Sequence, residues 1–285
     1  MAITYNDLYL TVRRALRDAG VEAYGLEARL LVASAAARSV ETLLRELQLY
    51  TSDAVAQNAE ELLRRRLEGE PAAYITGSWE FYGLPMVVNP AVLIPRMDTE
   101  VLVKTAVKAL HGRKTDARIL DLCAGSGCIG CALSRALPGA RVLMIDLGPE
   151  VLSVCRRNIA MSSVSHRVTC LEADVMQTPP MRIGSFDLIV SNPPYIPTAE
   201  LATLDPSVRD FEPIRALDGG EDGLDFYRAI LAGWKSLLRD GGRLMFEVGD
   251  GQAEEVKKLM HLAGLLGVDS VSDTAGIDRV VYGRV

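Results

Sequence analysis

The fold is decided by residues 118–127, which read RILDLCAGSG. A mostly apolar, strand-like segment runs into a loop that contains Gly125 and Gly127, and a helix-like segment follows. Glycines let the backbone turn sharply and approach a ligand closely, beside the free N–H groups of a helix start. The order of strand, loop and helix therefore predicts an α/β fold with a ligand at the carboxyl end of its strands.

The sequence after this stretch repeats the alternation. Strand-like segments at 141–146, 167–172, 186–191 and 242–248 are separated by helical patterns that include 149–161, 224–239 and 252–264. Short apolar strands separated by helices favour a mostly parallel sheet that is covered on both faces. The link between the last two strands, 268–272 and 278–284, is too short for a crossover helix, which predicts an antiparallel pair.

The first 70 residues have a different character. Apolar residues such as Leu26, Leu30 and Leu31 recur at three- and four-residue steps, and no strand-like alternation is present. After Pro71, aromatic and β-branched residues broken by Gly and Pro are typical of a hairpin. We therefore predict a small all-helical domain over 1–73, a β-hairpin linker over 74–95 and the α/β domain over 96–285.

Composition excludes several classes of protein. The net charge of −6 argues against a protein that coats nucleic acid through a broad basic face. No apolar stretch reaches the roughly 18 residues of a membrane span, and the amino-terminal segment does not resemble a secretion signal. The five cysteines form no paired framework, which predicts a cytoplasmic protein. Cys128 and Cys131 have C-x-x-C spacing without a second ligand pair, so no metal site is predicted.

The glycine loop and Asp146 predict a nucleoside-containing cofactor. Asp146 ends the second strand, where a carboxylate accepts hydrogen bonds from ribose hydroxyls. Gly125, Gly127 and Gly130 also spell G-x-G-x-x-G, which leaves a dinucleotide or a ligand-free turn as alternatives. Asp121 favours S-adenosylmethionine, because its carboxylate would repel a pyrophosphate but suits a cationic amino-acid end.

The third strand contributes a further candidate. Asp174 follows this strand, where it is expected to face the adenine amino group. The alternative interpretation is an aspartate that only initiates a turn.

The fourth strand runs directly into Asn192-Pro193-Pro194-Tyr195. Two prolines fix two φ angles and remove two N–H donors, which leaves the Asn192 side-chain oxygen and the Pro193 carbonyl as acceptors. Two acceptors and the flat Tyr195 ring suit a planar –NH2 group. Hydrogen bonds from the –NH2 group to these two acceptors stabilise the positive charge that develops on nitrogen as a methyl group is transferred. We therefore predict that these four residues bind the substrate and carry the catalysis.

Longer motifs support a family assignment. They are Tyr74–Gly77, Trp79–Gly83, Val92–Arg96 with Thr99-Glu100, Asp121–Gly127, Asp146, Asn192–Tyr195, Phe211–Pro213, Asp222–Leu224, Glu247–Gly249 with Gln252, and Asp273–Arg284. With these motifs the chain resembles the protein-(glutamine-N5) methyltransferases of class I release factors, the HemK/PrmC family. The resemblance implies a Rossmann-like class I methyltransferase domain, with an antiparallel carboxy-terminal strand, preceded by a small helical domain.

The resemblance also implies a cofactor, a partner and residue roles. S-adenosylmethionine would be lined by the loop residues Cys123, Ala124, Gly125, Ser126 and Gly127, by Asp146 and by Val175. Asn192–Tyr195 would bind the glutamine of the Gly-Gly-Gln loop of a class I peptide-chain release factor, which the helical domain would contact. Family members often have Gly-Thr at Cys123-Ala124 and an aromatic residue at Val175, so no stacking role is predicted for Val175.

Three rival functions share parts of this pattern. An adenine-N6 nucleic-acid methyltransferase uses the same tetrapeptide on a flipped base, but the acidic balance and the lack of a basic recognition region argue against it. A methyltransferase of a ribosomal-protein glutamine would have the same catalytic core, and here the amino-terminal domain and the last strand favour release factors. A binding module would not require both loops. Neither a membrane nor direct nucleic-acid binding is expected.

Overall fold

The computed structural model describes residues 3–110, 112 and 116–285, and its chain divides into two compact units. One unit runs from the amino-terminal end to Ser78 and also contains Pro206–Phe211. The other unit comprises Trp79–Asp205 and Glu212–Val285. The functional domain boundaries at residues 73 and 95 stay predictions.

The first unit is helical, as its periodic pattern predicted. Thr4 and Asp7 form a capping box that starts the first helix, in which each side chain accepts a hydrogen bond from the other residue's backbone N–H. Leu8, Val12 and Leu16 recur along one face of this helix and are buried, so the unit has a hydrophobic core of its own. The helices are α1 (Tyr5–Asp18), α2 (Tyr24–Ala35), α3 (Val40–Arg45), α4 (Asp53–Leu67) and α5 (Ala72–Thr76).

The hairpin segment was predicted to begin at residue 74, but the structure has helix α5 over Ala72–Thr76. Pro71 precedes the helix, and Gly77, at φ 68°, ends it in the left-handed conformation. Tyr74 and Ile75 of this helix are buried, so packing overrides their strand propensity. The hairpin consists of β1 (Ser78–Phe81) and β2 (Leu84–Val87), and residues 88–95 contain neither helix nor strand.

The second unit contains a seven-stranded sheet among the described residues, in the order β5-β4-β3-β6-β7-β9-β8. The pairs from β5 to β7 are parallel, and β9 pairs antiparallel with both β7 and β8, as predicted. The remaining elements are α6 (Thr99–Leu110), β3 (Arg118–Leu122), α7 (Cys128–Ala136), β4 (Arg141–Asp146), α8 (Pro149–Met161), β5 (Val168–Glu172), β6 (Phe186–Ser191), α9 (Pro206–Arg209, in the first unit), α10 (Asp225–Ala232), β7 (Leu238–Glu247), α11 (Ala253–Leu262), β8 (Leu266–Ser272) and β9 (Asp278–Arg284).

The predicted helix over 224–239 was too long. Helix α10 ends at Ala232, a short 3-10 helix covers Trp234–Leu237, and β7 already begins at Leu238. The indole of Trp234 is fully buried and donates to the Val175 carbonyl at 2.9 Å. This tertiary contact has no helical periodicity, so the sequence pattern did not reveal it.

Both faces of the sheet are covered by hydrophobic core clusters. Ile119 belongs to one core cluster, whereas its neighbour Leu120 belongs to the other, so successive side chains of β3 enter opposite cores. Leu122 of β3 pairs with Ile145 of β4 and with Ser191 of β6. The loops that follow these three strands therefore meet at one edge. No helix in the described part of the chain has the length and apolarity to span a membrane.

Candidate active site

A cavity of about 330 Å³ opens at this edge of the sheet. The predicted site residues that line it are Cys123, Ala124, Gly125, Ser126, Asp146, Asp174, Val175, Asn192 and Pro194. The other four, Asp121, Gly127, Pro193 and Tyr195, are not among the lining residues. The geometry thus brings the loops after β3, β4, β5 and β6 together around one space.

The loop after β3 adopts unusual backbone conformations. Cys123, Gly125 and Gly127 have φ values of 57°, 54° and 80°. The Ala124 N–H donates to the Ile145 carbonyl at 3.0 Å, which ties the loop to β4. The loop therefore presents backbone and small side chains to the cavity.

Asn158, which no sequence motif pointed to, stabilises this loop through a hydrogen bond to its backbone. Asn158 of α8 is fully buried, and its Nδ2 donates to the Ser126 carbonyl at 2.8 Å. Its Oδ1 also accepts from the Val87 N–H at 2.7 Å. Asn158 thus joins the hairpin to the glycine loop. No pattern in the sequence distinguished this helical asparagine from an exposed one.

Asp121 supports the loop from inside the protein. Its side chain is fully buried, and Oδ2 accepts from the Gly130 N–H at 2.9 Å while Oδ1 has no hydrogen-bond partner in the described structure. Burial raises the pKa of Asp121 to about 8, and the Gly130 hydrogen bond opposes that rise only in part. The carboxyl thus lies behind the cavity wall, and its predicted contact with the cationic end of a cofactor stays a prediction.

The raised pKa of Asp121 predicts a pH-dependent stability. Between an unfolded pKa near 3.8 and the folded pKa of about 8, the folded state binds the proton more tightly, so stability falls as pH rises. We expect Asp121→Asn to remove this contribution, at most about 1.4 kcal/mol per pH unit. Denaturant unfolding of both proteins from pH 5 to 8, without cofactor, measures the difference. Equal pH slopes would contradict the buried, protonated carboxyl.

Asp146 lies at the cavity end of β4. Its Oδ2 accepts from the Gly125 N–H at 2.6 Å and its Oδ1 from the Leu147 N–H at 2.7 Å. Burial raises the pKa of Asp146, while these two backbone hydrogen bonds and Arg215 oppose the rise. The carboxylate is fixed in place, and each oxygen keeps a second lone pair for a ligand hydroxyl.

Asp174 and Val175 also line the cavity. The Asp174 Oδ1 accepts from the Met176 N–H at 2.9 Å, so this aspartate does initiate a turn, and it lines the cavity as well. Val175 is 5% exposed and packs in the core. Its side chain offers the cavity an apolar edge.

The loop after β6 places Asn192 at the cavity. Asn192 donates from Nδ2 to the Thr99 Oγ1 at 3.2 Å, and Thr99 also lines the cavity. The Tyr195 carbonyl accepts from the Gln252 Nε2 at 2.8 Å, and the Gln252 Oε1 accepts from the Gly249 N–H at 3.0 Å. Burial raises the pKa of Tyr195 to about 12, so its phenol stays neutral. The tetrapeptide is therefore anchored at both ends.

Arginines that the site prediction missed lie at the cavity wall. Arg96 forms an ion pair with Glu212, whose side chain is 1% exposed and also accepts from the Ile94 N–H at 3.2 Å. Arg215 lines the cavity and reaches the Leu147 carbonyl. Arg96 and Glu212 both belong to motifs quoted above, so those motifs were the available signal. The described residues contain no group of three or more side chains suited to a metal ion.

Comparisons with known proteins bear on the whole chain. The family model of the Methyltransferase small domain matches residues 97–204, and that of the PrmC N-terminal domain matches residues 7–77. A release factor glutamine methyltransferase from Geobacter sulfurreducens is 43% identical over 280 residues, which cover 96% of this chain and 94% of the relative. The chain belongs to the release factor glutamine methyltransferase family. A second member, from Moorella thermoacetica, is 41% identical over 95% of this chain and 97% of its own length.

A solved structure agrees on the fold of this family member. A methyltransferase from Pyrococcus furiosus superimposes with a TM-score of 0.53 at 16% identity, over 79% of this chain and 98% of the other. The stretch matched by the Methyltransferase small domain includes both the glycine loop and Asn192–Tyr195. The residues that match the family model therefore include the loops at the cavity.

Proposed function

We propose that this chain transfers the methyl group of S-adenosylmethionine to the side-chain amide N5 of the glutamine in the Gly-Gly-Gln motif of class I peptide-chain release factors. Membership of the release factor glutamine methyltransferase family supports the substrate. The observation that carries the chemistry is the direction of the Asn192 amide. Its Nδ2 donates to Thr99 and the residue lines the cavity, so in our proposal Oδ1 is the acceptor that faces the substrate.

The substrate amide is a poor nucleophile because its lone pair is delocalised into the carbonyl group. In our proposal the Asn192 Oδ1 and the Pro193 carbonyl accept hydrogen bonds from the two N–H groups of that amide. These bonds strengthen as positive charge develops on nitrogen, so they stabilise the transition state more than the ground state. Pro193 and Pro194 supply no competing N–H donor. The Tyr195 ring is proposed to flank the planar group.

The cavity fits the proposed cofactor. Its walls combine small loop residues with the carboxylates of Asp146 and Asp174, which can bind hydroxyl and amino groups. Bound there, S-adenosylmethionine would supply an electrophilic methyl group and leave as S-adenosylhomocysteine, and the methylated nitrogen, which becomes acidic, would then lose a proton. Cys123–Gly127 and Val175 are proposed to contact it, and Asp121 to support the loop beneath it. Holding the nitrogen in line with the methyl group provides the entropic part of the rate.

Asp146 provides a test of cofactor binding. We expect Asp146→Ala to weaken S-adenosylmethionine binding about 10- to 100-fold, since hydrogen bonds to a charged group contribute about 1.5–3 kcal/mol. Isothermal titration calorimetry measures this effect. Asp240→Ala, which removes an exposed carboxylate, is the matched control. Unchanged affinity in Asp146→Ala would remove Asp146 from the ribose.

The helical residues 1–73 are proposed to recognise the release factor, with 74–95 as the linker to the catalytic domain 96–285. A bacterial release factor acts during translation, so we place the reaction in the cytoplasm. The decisive experiment incubates the enzyme and labelled S-adenosylmethionine with a release factor, a ribosomal-protein mixture or DNA. Mass spectrometry is expected to find one added methyl group on the Gly-Gly-Gln peptide. Label on DNA or on a ribosomal protein alone would contradict the proposal.

A further inference from the structure

A buried carboxyl group without an assigned role lies beside the Asn192 loop. Glu247 ends β7 and is 2% exposed, in register with Val280 of β9. Its Oε2 is buried and has no hydrogen-bond partner within the described residues. An ionisable group is costly to bury, so its retention at the carboxyl end of a central strand points to a task at the site.

Two polar side chains act on this carboxyl group, and both belong to the cavity wall. Thr99 and Asn192 both lower the pKa of Glu247, as hydrogen-bond donors close to a carboxyl group do. Asn192 donates from Nδ2 to the Thr99 Oγ1 at 3.2 Å. Thr99 is 2% exposed, so its hydroxyl hydrogen has to be directed at a protein acceptor rather than at bulk water.

The chemistry of the Glu247, Thr99 and Asn192 side chains allows one direction of hydrogen-bond donation, from Asn192 to Thr99 and from Thr99 to Glu247. An ionised carboxylate only accepts hydrogen bonds, whereas a hydroxyl can donate one and accept another. If Glu247 accepts from Thr99, the Thr99 oxygen is left to accept from the Asn192 amide. Reversal of that amide would point its oxygen at Thr99 and its NH2 group at the cavity.

We infer that Glu247 and Thr99 are positioning residues, which form a hydrogen-bond relay that holds the Asn192 amide with its oxygen facing the substrate. This inference rests on the proposed function, since it explains how the acceptor for the substrate amide is oriented. Neither residue is required to touch the transferred methyl group.

Several charged and titratable groups act on Glu247 from the elements packed against it. They are Asp98 before α6, Cys128 of α7, Tyr195 after β6, Tyr227 of α10 and Arg279 of β9. Burial raises the pKa of Glu247 to about 7, and Thr99, Arg279 and Asn192 oppose the rise. The relay is complete only above this pKa, when the carboxylate has lost its proton.

The first test changes the middle of the relay. Thr99→Val keeps the shape of the side chain but removes the hydroxyl, and Thr99→Ser keeps the hydroxyl. We expect Thr99→Val to lower kcat on release factor about 100-fold, as a mispositioned reacting group does, while Thr99→Ser restores most of it. Cofactor affinity and thermal unfolding are measured for both variants. A Thr99→Val enzyme with near-normal kcat, or one that loses only cofactor affinity, would overturn the relay.

The second test uses pH. We expect wild-type kcat to fall as pH drops through about 7, by about tenfold per pH unit well below the pKa. Glu247→Gln keeps the size of the side chain but removes its titratable group. We therefore expect the kcat of this variant to be low and not to fall further as pH drops through about 7. An identical pH profile in Glu247→Gln and wild type would overturn the role of Glu247.

A third measurement separates the relay from the proposed function. The Asn192 side-chain NH2 is expected to exchange its hydrogens slowly in wild type and faster in Thr99→Val, as measured by nuclear magnetic resonance without any substrate. A wild-type enzyme that labels no release factor would contradict the proposed function but not this result. Equal exchange in the two proteins would contradict the relay even if release factor is methylated.

Discussion

Asn192→Ala is expected to lower kcat on release factor about 1000-fold while leaving S-adenosylmethionine binding nearly unchanged. Removal of one preorganised electrostatic group at a reacting centre costs about 100- to 1000-fold. Alanine removes the Oδ1 acceptor and also the Nδ2 donor to Thr99, so the upper end of that range applies. The relay to Glu247 is interrupted by the same change.

Single-turnover methylation of release factor, together with calorimetry of cofactor binding, measures this effect. A thermal unfolding curve close to that of wild type shows that the fold is intact. Turnover within tenfold of wild type would contradict the role of Asn192 as an acceptor. A parallel loss of cofactor affinity would instead assign Asn192 to cofactor binding.

Gly223→Ala is expected to reduce kcat/KM about 100-fold, because it displaces the loop that carries Tyr195. Gly223 has a φ of 74°, and a Cβ atom there would lie 2.3 Å from the Tyr195 carbonyl oxygen and 2.7 Å from the Gln252 Nε2. These two atoms form the hydrogen bond that anchors the end of the tetrapeptide. The added methyl group is therefore expected to break the hydrogen bond between Gln252 and Tyr195 that holds the Asn192–Tyr195 loop in place.

A matched control separates the steric effect from backbone strain. Gly251 has a φ of 77°, and a Cβ atom there would meet nothing within 4 Å. Gly251→Ala thus carries only the cost of a left-handed conformation, about 1–2 kcal/mol, and should stay active. If both variants lost kcat/KM equally, the Tyr195 contact would not be the cause.

Local sequence patterns predicted some parts of this structure, whereas packing between distant segments decided others. RILDLCAGSG and the segment leading to Asn192 predicted a strand followed by a functional loop, and both loops do meet at the edge of a parallel sheet. Asp174 initiates a turn and also lines the cavity, and its contact with an adenine amino group stays a prediction. The helix over 224–239 and the early hairpin start were wrong because burial of Trp234 and of the α5 residues depends on distant partners.

The amino-acid sequence by itself determined the α/β order and the family, because these depend on local periodicity and on short motifs. Only the tertiary structure decided which residues of those motifs line the cavity. It placed Asp121 behind the loop, and it set Thr99 against Asn192 from a distant segment of the chain. Burial and the direction of a hydrogen bond arise from packing between distant elements, which one-dimensional patterns do not specify.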